Sequence, residues 1–130
     1  MSTQQSSNEK LLDVATIIAI SASRPAGRDA GPSVDSSTIN NLLTFIQSRR
    51  DVNELLAFIM RQTGRGEIDQ NTGKLLLQHL RGLSPDKAIQ LLGYVKWIYE
   101  TLTSRDIKMD RSKLNSVKTF SELVELIAKG

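Results

Sequence analysis

The chain has no cysteine, one histidine, three prolines and six aromatic residues in 130 positions. Each shortage closes a class of reading. Without cysteine there is no disulfide framework and no thiolate nucleophile, and His79 cannot join a His/Cys zinc set. No Gly-x-Ser-x-Gly elbow is present to make His79 part of a hydrolytic triad. It reads as a residue at the edge of a core or on the surface. The longest apolar stretch, residues 14–20, is broken by Thr16. It is far short of the roughly 20 residues that span a bilayer. Residues 11–22 are apolar and end in small residues. However, Lys10 stands beside Glu9 and Asp13 interrupts the run, which argues against a signal peptide. The expectation is a cytoplasmic protein with no membrane partner.

Motifs for small-molecule chemistry are also missing. Gly64-Arg65-Gly66 is too short for a dinucleotide fingerprint, and the glycines and Lys74 that follow lack phosphate-loop spacing. Glu67, Asp69 and Asn71 have the alternate spacing of a calcium loop. Thr72 stands where that loop needs glycine, and Gln78 where it needs the bidentate glutamate. A polar turn with Asp69 or Asn71 capping a helix is the simpler reading. No carboxylate has an evident catalytic partner. No catalytic residue, metal site or cofactor is therefore expected, and the chain reads as a non-enzyme.

What is present is helical periodicity. Leu11, Val14, Ala15, Ile18 and Ala22 predict a first helix over 9–22, after a polar tail at 1–8. Arg24-Pro25 ends it. Residues 23–37 form a long Pro/Gly/Ser loop, either a plain connector or a loop that orders on a partner through Arg24 and Arg28. A cap within Asp35–Ser37 opens a second helix with Ile39, Leu42, Leu43 and Ile46 inward. Asp51-Val52-Asn53-Glu54 is a capping-box pattern for a third helix, with Val52, Leu55, Leu56 and Ile59 inward and Gly64 as its stop. A fourth helix covers about 71–80, with Leu76, Leu77 and Leu80 inward. Ser84-Pro85-Asp86 opens the longest helix, about 85–103. There Ala88, Leu91, Val95, Ile98 and Leu102 make a seam able to take another helix. Thr119-Phe120-Ser121-Glu122 caps a last helix. The sum is an all-α fold: one compact bundle of five to six helices over 9–130, with the 23–37 loop.

Charge is distributed unevenly along this bundle. Residues 61–118 hold eleven Lys or Arg against six Asp or Glu, a net +5. The flanking segments are each −1, so the whole +3 of the chain arises in that half. Basic residues flank the turns, Arg61 and Arg65 at one and Arg81 and Lys87 at the next, where they could track a phosphate backbone. Arg105, Lys108, Arg111, Lys113 and Lys118 form a second group. Tyr94 and Trp97 share a stripe with Lys87, Gln90 and Thr101. Their rings could stack on bases, or close the core and pack on a neighbouring subunit.

The stretches LLAFIMRQTGRG, KLLLQHLRGL and SPDKAIQLLGYVKWIYETL, between Leu55 and Thr103, resemble in layout the small helical subunit of CRISPR interference complexes of type I-A or type III. That resemblance implies a non-catalytic bundle whose copies stack along a ribonucleoprotein filament in antiviral defence. Its basic face would hold a guide–target duplex or a displaced single strand without reading sequence. Under the resemblance that face falls to Arg61, Arg65, Lys74, Arg81 and Lys87, with Arg49 and Arg50 behind them. Partners would be nucleic acid and other protein subunits, including copies of itself. The alternative is a self-assembling scaffold or virion module without intrinsic nucleic-acid binding. Its interface would be Leu91, Tyr94, Trp97 and Ile98 on the longest helix. A helix-turn-helix regulator over 69–103 is less favoured, because Asp86 would sit at the recognition-helix N-terminus.

Overall fold

The computed structural model describes residues 3–25 and 31–129. Six α-helices follow in order: α1 (Thr3–Ser23), α2 (Ser36–Arg49), α3 (Val52–Gly64), α4 (Gln70–Leu80), α5 (Pro85–Thr103) and α6 (Phe120–Lys129). One 3-10 helix, Arg111–Ser116, lies between α5 and α6. No strand occurs among the described residues; Pro25 and Pro32 make a lone antiparallel bridge at the base of the loop. The fold is all-α, as expected.

The caps set most boundaries. Ser84 accepts from the Lys87 amide, with Pro85 in the first turn, and α5 keeps the limits that its sequence predicts. Thr119 and Glu122 form the full capping box: Thr119 Oγ1 accepts from the Glu122 amide, and Glu122 Oε1 accepts from the Thr119 amide. The carboxylate also accepts from the Lys118 amide. These bonds hold the Glu122 pKa below its ordinary value, the Lys118 amide first. At Asp51 only half the box forms. Its side chain accepts from the Glu54 amide at 3.0 Å, while the Glu54 carboxylate turns to Arg49. Asp69, not Asn71, caps α4.

Three boundaries differ from expectation. The first helix starts at Thr3 rather than near residue 9. Gly64 is the last residue of α3 rather than its stop; the left-handed position is Gly66, at φ +81°. Residues 104–118, read only as a polar segment, hold the 3-10 helix, which Asp110 caps through the Ser112 amide.

The central pair is α1 against α5, with α2, α4 and α6 around it. Ala15, Ala19 and Ala22 are fully buried on α1, and such small side chains let a neighbouring helix come close. α5 buries Ala88, Leu91, Leu92, Val95, Ile98, Tyr99 and Leu102, a stripe wide enough to serve both α1 and α2. Polar ties join the layers. Asp13 on α1 accepts from the Phe120 amide at the start of α6, 2.8 Å away. Ser21 Oγ and Thr72 Oγ1 share a buried hydrogen bond of 2.6 Å, and Asn71 donates to Ser21 at 2.8 Å.

The ends of the long loop are fixed. The Val34 amide donates to the Ala22 carbonyl, and both the Ser33 amide and hydroxyl donate to the Arg24 carbonyl. Tyr99 donates its buried hydroxyl to the Val34 carbonyl. Burial, and then the Asp35 carboxylate, push the Tyr99 phenol pKa up, so the proton it donates is firmly held. Arg28, one of the loop's two expected charges, lies outside the described residues.

Candidate nucleic-acid interface

The α3–α4 hairpin carries four of the seven expected basic contacts. Leu55 and Ile59 turn α3 toward the core, so Arg61 and Arg65, one turn apart, fall on its outer face. Leu76 and Leu80 do the same for α4, placing Lys74 on its outer face, while Arg81 follows the helix in a non-helical conformation. All four are exposed. None has a carboxylate within 4.0 Å among the described residues.

The hairpin is close-packed where its helices meet. A Cβ on Gly73 would lie 2.5 Å from Thr63 Oγ1, so only glycine fits that approach. Thr72 and Gly73 are buried beneath it, and the Asp69 cap holds the first turn of α4. One carboxylate oxygen of Asp69, Oδ1, is buried without a hydrogen-bond partner. His79 is half-buried in the last turn of α4, in keeping with an edge residue.

The remaining three expected contacts are differently placed. Lys87 is half-buried at the start of α5. Arg49 pairs with Glu54 at 2.8 Å and lies over the Phe45 ring, 5.8 Å from its centre. Phe45 itself stacks on Phe58 at 4.8 Å, joining α2 to α3. Arg50, in the left-handed conformation that ends α2, pairs with Asp86 of α5 at 2.6 Å. Both arginines thus tie corners of the bundle together. Exposed pairs of this kind contribute about 0–1 kcal/mol each.

The expected protein interface divides. Leu91 is fully buried and Ile98 nearly so, at 6% exposure. The seam that could have met another chain is occupied by α1 and α2 of this one. Leu91 is therefore a core residue, and only the edge of Ile98 reaches a groove. Tyr94 is half-buried, its hydroxyl accepting from Gln90. Trp97 is 67% exposed, its ring 6.1 Å from that of Tyr94. Of the second basic group, Arg111 is tied down: its guanidinium donates to the carbonyls of Leu102 at 2.6 Å and Ser104 at 3.3 Å, closing the C-terminal end of α5.

One arrangement has no signal in the local sequence. Arg24 at the end of α1 donates to Asn115, 91 residues away, at 3.3 Å. Arg111 lines the same cavity. Among the described residues, no cluster of three or more His, Asp or Glu is placed to hold a metal ion, and no helix is long and apolar enough to cross a membrane. Comparison with protein-family models and with curated proteins gives no match to this chain.

Proposed function

We propose that the protein is a non-catalytic, nucleic-acid-binding structural subunit, gripping phosphate backbone without sequence readout. One observation carries this: Arg61, Arg65, Lys74 and Arg81 stand exposed on one close-packed hairpin with no acidic partner among the described residues. Unpaired cations on a stiff scaffold suit repeated phosphates, which need charge at intervals rather than a shaped pocket. Lys87, which is half-buried, and Arg49 and Arg50, which are paired with Glu54 and Asp86, are secondary to these four. The layout of 55–103 is in keeping with a subunit of a cytoplasmic interference ribonucleoprotein, in which base pairing would supply the specificity.

The test is fluorescence anisotropy with labelled single-stranded RNA, single-stranded DNA and duplex DNA at several salt concentrations. Binding should be blind to sequence and weaken steeply with salt. Replacing Arg61, Arg65 and Arg81 with alanine should lower the salt slope on duplex by about 3, near one unit per lost phosphate contact. Absence of binding at low salt would refute the reading. A second reading, self-assembly through another copy, is favoured by exposed Trp97 and by an apolar groove of about 340 Å³ between α5 and α6. Concentration-dependent oligomers without nucleic acid, abolished by Trp97→Ala, would support it instead.

A further inference from the structure

A cavity of about 480 Å³ opens where the end of α1 meets the segment between α5 and α6. That size is within the usual range for small-molecule sites, about 300–1,000 Å³. Its lining is of two kinds. Ile20, Leu102, Leu114 and the bridged Pro25 and Pro32 supply an apolar floor. Arg24, Arg111 and Asn115 stand against it. The loop base is held by the Ser33 and Val34 backbone bonds, so this wall is built rather than incidental.

A guanidinium carries five N–H donors. Arg24 uses one on Asn115, and Arg111 directs two at the Leu102 and Ser104 carbonyls. Among the described residues, both therefore keep donors to spare. Neither has a carboxylate within 4.0 Å among the described residues. Two cations line this one cavity, and both would attract an anion bound in it. A smaller cavity of about 230 Å³ adjoins it, shares Arg24 and Asn115, and adds Lys118.

We propose that this cleft binds a nucleotide unit, its base on the apolar floor and its phosphate on Arg24 and Arg111. Inorganic phosphate would leave the floor bare, and a hydrocarbon would leave both guanidiniums unanswered. Guanidinium suits both parts, because its plane stacks on a base and its fork matches phosphate oxygens. The site is separate from the α3–α4 face and does not rest on the function proposed for it.

The experiment is a titration of the isotope-labelled full chain, followed through its backbone amides by NMR. The probes are adenosine monophosphate, inorganic phosphate and a short oligoadenylate. Saturable shifts at Arg24, Thr103, Leu114 and Asn115 with adenosine monophosphate support a site for a free nucleotide. The same shifts with the oligoadenylate alone support a site for one unit of a strand. Arg24→Gln should weaken binding about tenfold or more, the loss of a charge-assisted contact. If that variant fails to fold, Arg111→Lys, which keeps charge and removes the fork, serves in its place. Equal response to inorganic phosphate, or no response at these amides with any probe, overturns the proposal. The Arg61/Arg65/Arg81 alanine variant should keep the response to adenosine monophosphate, so the two sites can fail independently.

Discussion

Gly73→Ala sets two opposed effects against each other. In an ordinary helix the change is favourable, because alanine gains up to about 1 kcal/mol over glycine. At this position the new Cβ would lie 2.5 Å from Thr63 Oγ1, 3.0 Å from Thr63 Cγ2 and 3.3 Å from Thr63 Cβ. Thr63 cannot simply turn away. It is β-branched, so rotation exchanges one crowding atom for another, and it would break the 2.8 Å bond from its hydroxyl to the Ile59 carbonyl. The remaining escape is separation of α3 from α4, and overpacking of that kind costs about 1–3 kcal/mol. Set against the propensity gain, a net destabilisation of about 1 kcal/mol is expected, or a fall in Tm of about 3–5 °C. Thermal unfolding followed by circular dichroism would measure it. In a Thr63→Ala background the obstacle is gone, and the same change should stabilise by up to about 1 kcal/mol. The coupling between the two sites would then be about 1–3 kcal/mol. A rise in Tm for Gly73→Ala alone would refute the close approach. It would also remove the reason for treating the hairpin as a rigid carrier of Arg61, Arg65, Lys74 and Arg81.

Further outcomes follow from other contacts. Tyr99→Phe leaves the Val34 carbonyl without its buried donor; a loss of about 1–2 kcal/mol is expected, with faster amide exchange at Ser33 and Val34. Leu91→Ala should cost about 2–5 kcal/mol in denaturant unfolding, because Leu91 has no exposed surface. Trp97→Ala, at 67% exposure, should stay within about 0.5 kcal/mol, and a comparable loss there would place Trp97 in the core. The lowered Glu122 pKa means that the native state favours its ionised form. That stabilising contribution is present above the ordinary value of 4.5 and fades as pH falls through the depressed native value. The protection of the α6 amides, taken relative to their intrinsic exchange rates at each pH, should fall over that range, and Glu122→Gln should flatten the dependence.

Much of the fold was legible because its signals are local. The capping box at Thr119 and Glu122 and the Ser84-Pro85 start of α5 act within one helical turn, so spacing alone identifies them. Burial of Leu55, Ile59, Leu76 and Leu80 follows from the same periodicity, and with it the outward placement of the hairpin's cations. The sequence by itself determined the six α-helical segments, where most of them begin, and that the basic charge falls in one half, but not the 3-10 helix at Arg111–Ser116 or the early start of α1. Tertiary structure decided who meets whom. It filled the α5 seam with α1 and α2, so Leu91 became core and not interface. Arg49 and Arg50 were committed to Glu54 and Asp86, while Arg61 and Arg65 were left unpaired among the described residues. It brought Arg24 to Asn115 across 91 residues and set Arg111 beside the same cavity. The physical reason is range. Caps and periodicity act over a few residues of chain, whereas these meetings depend on how every helix packs at once.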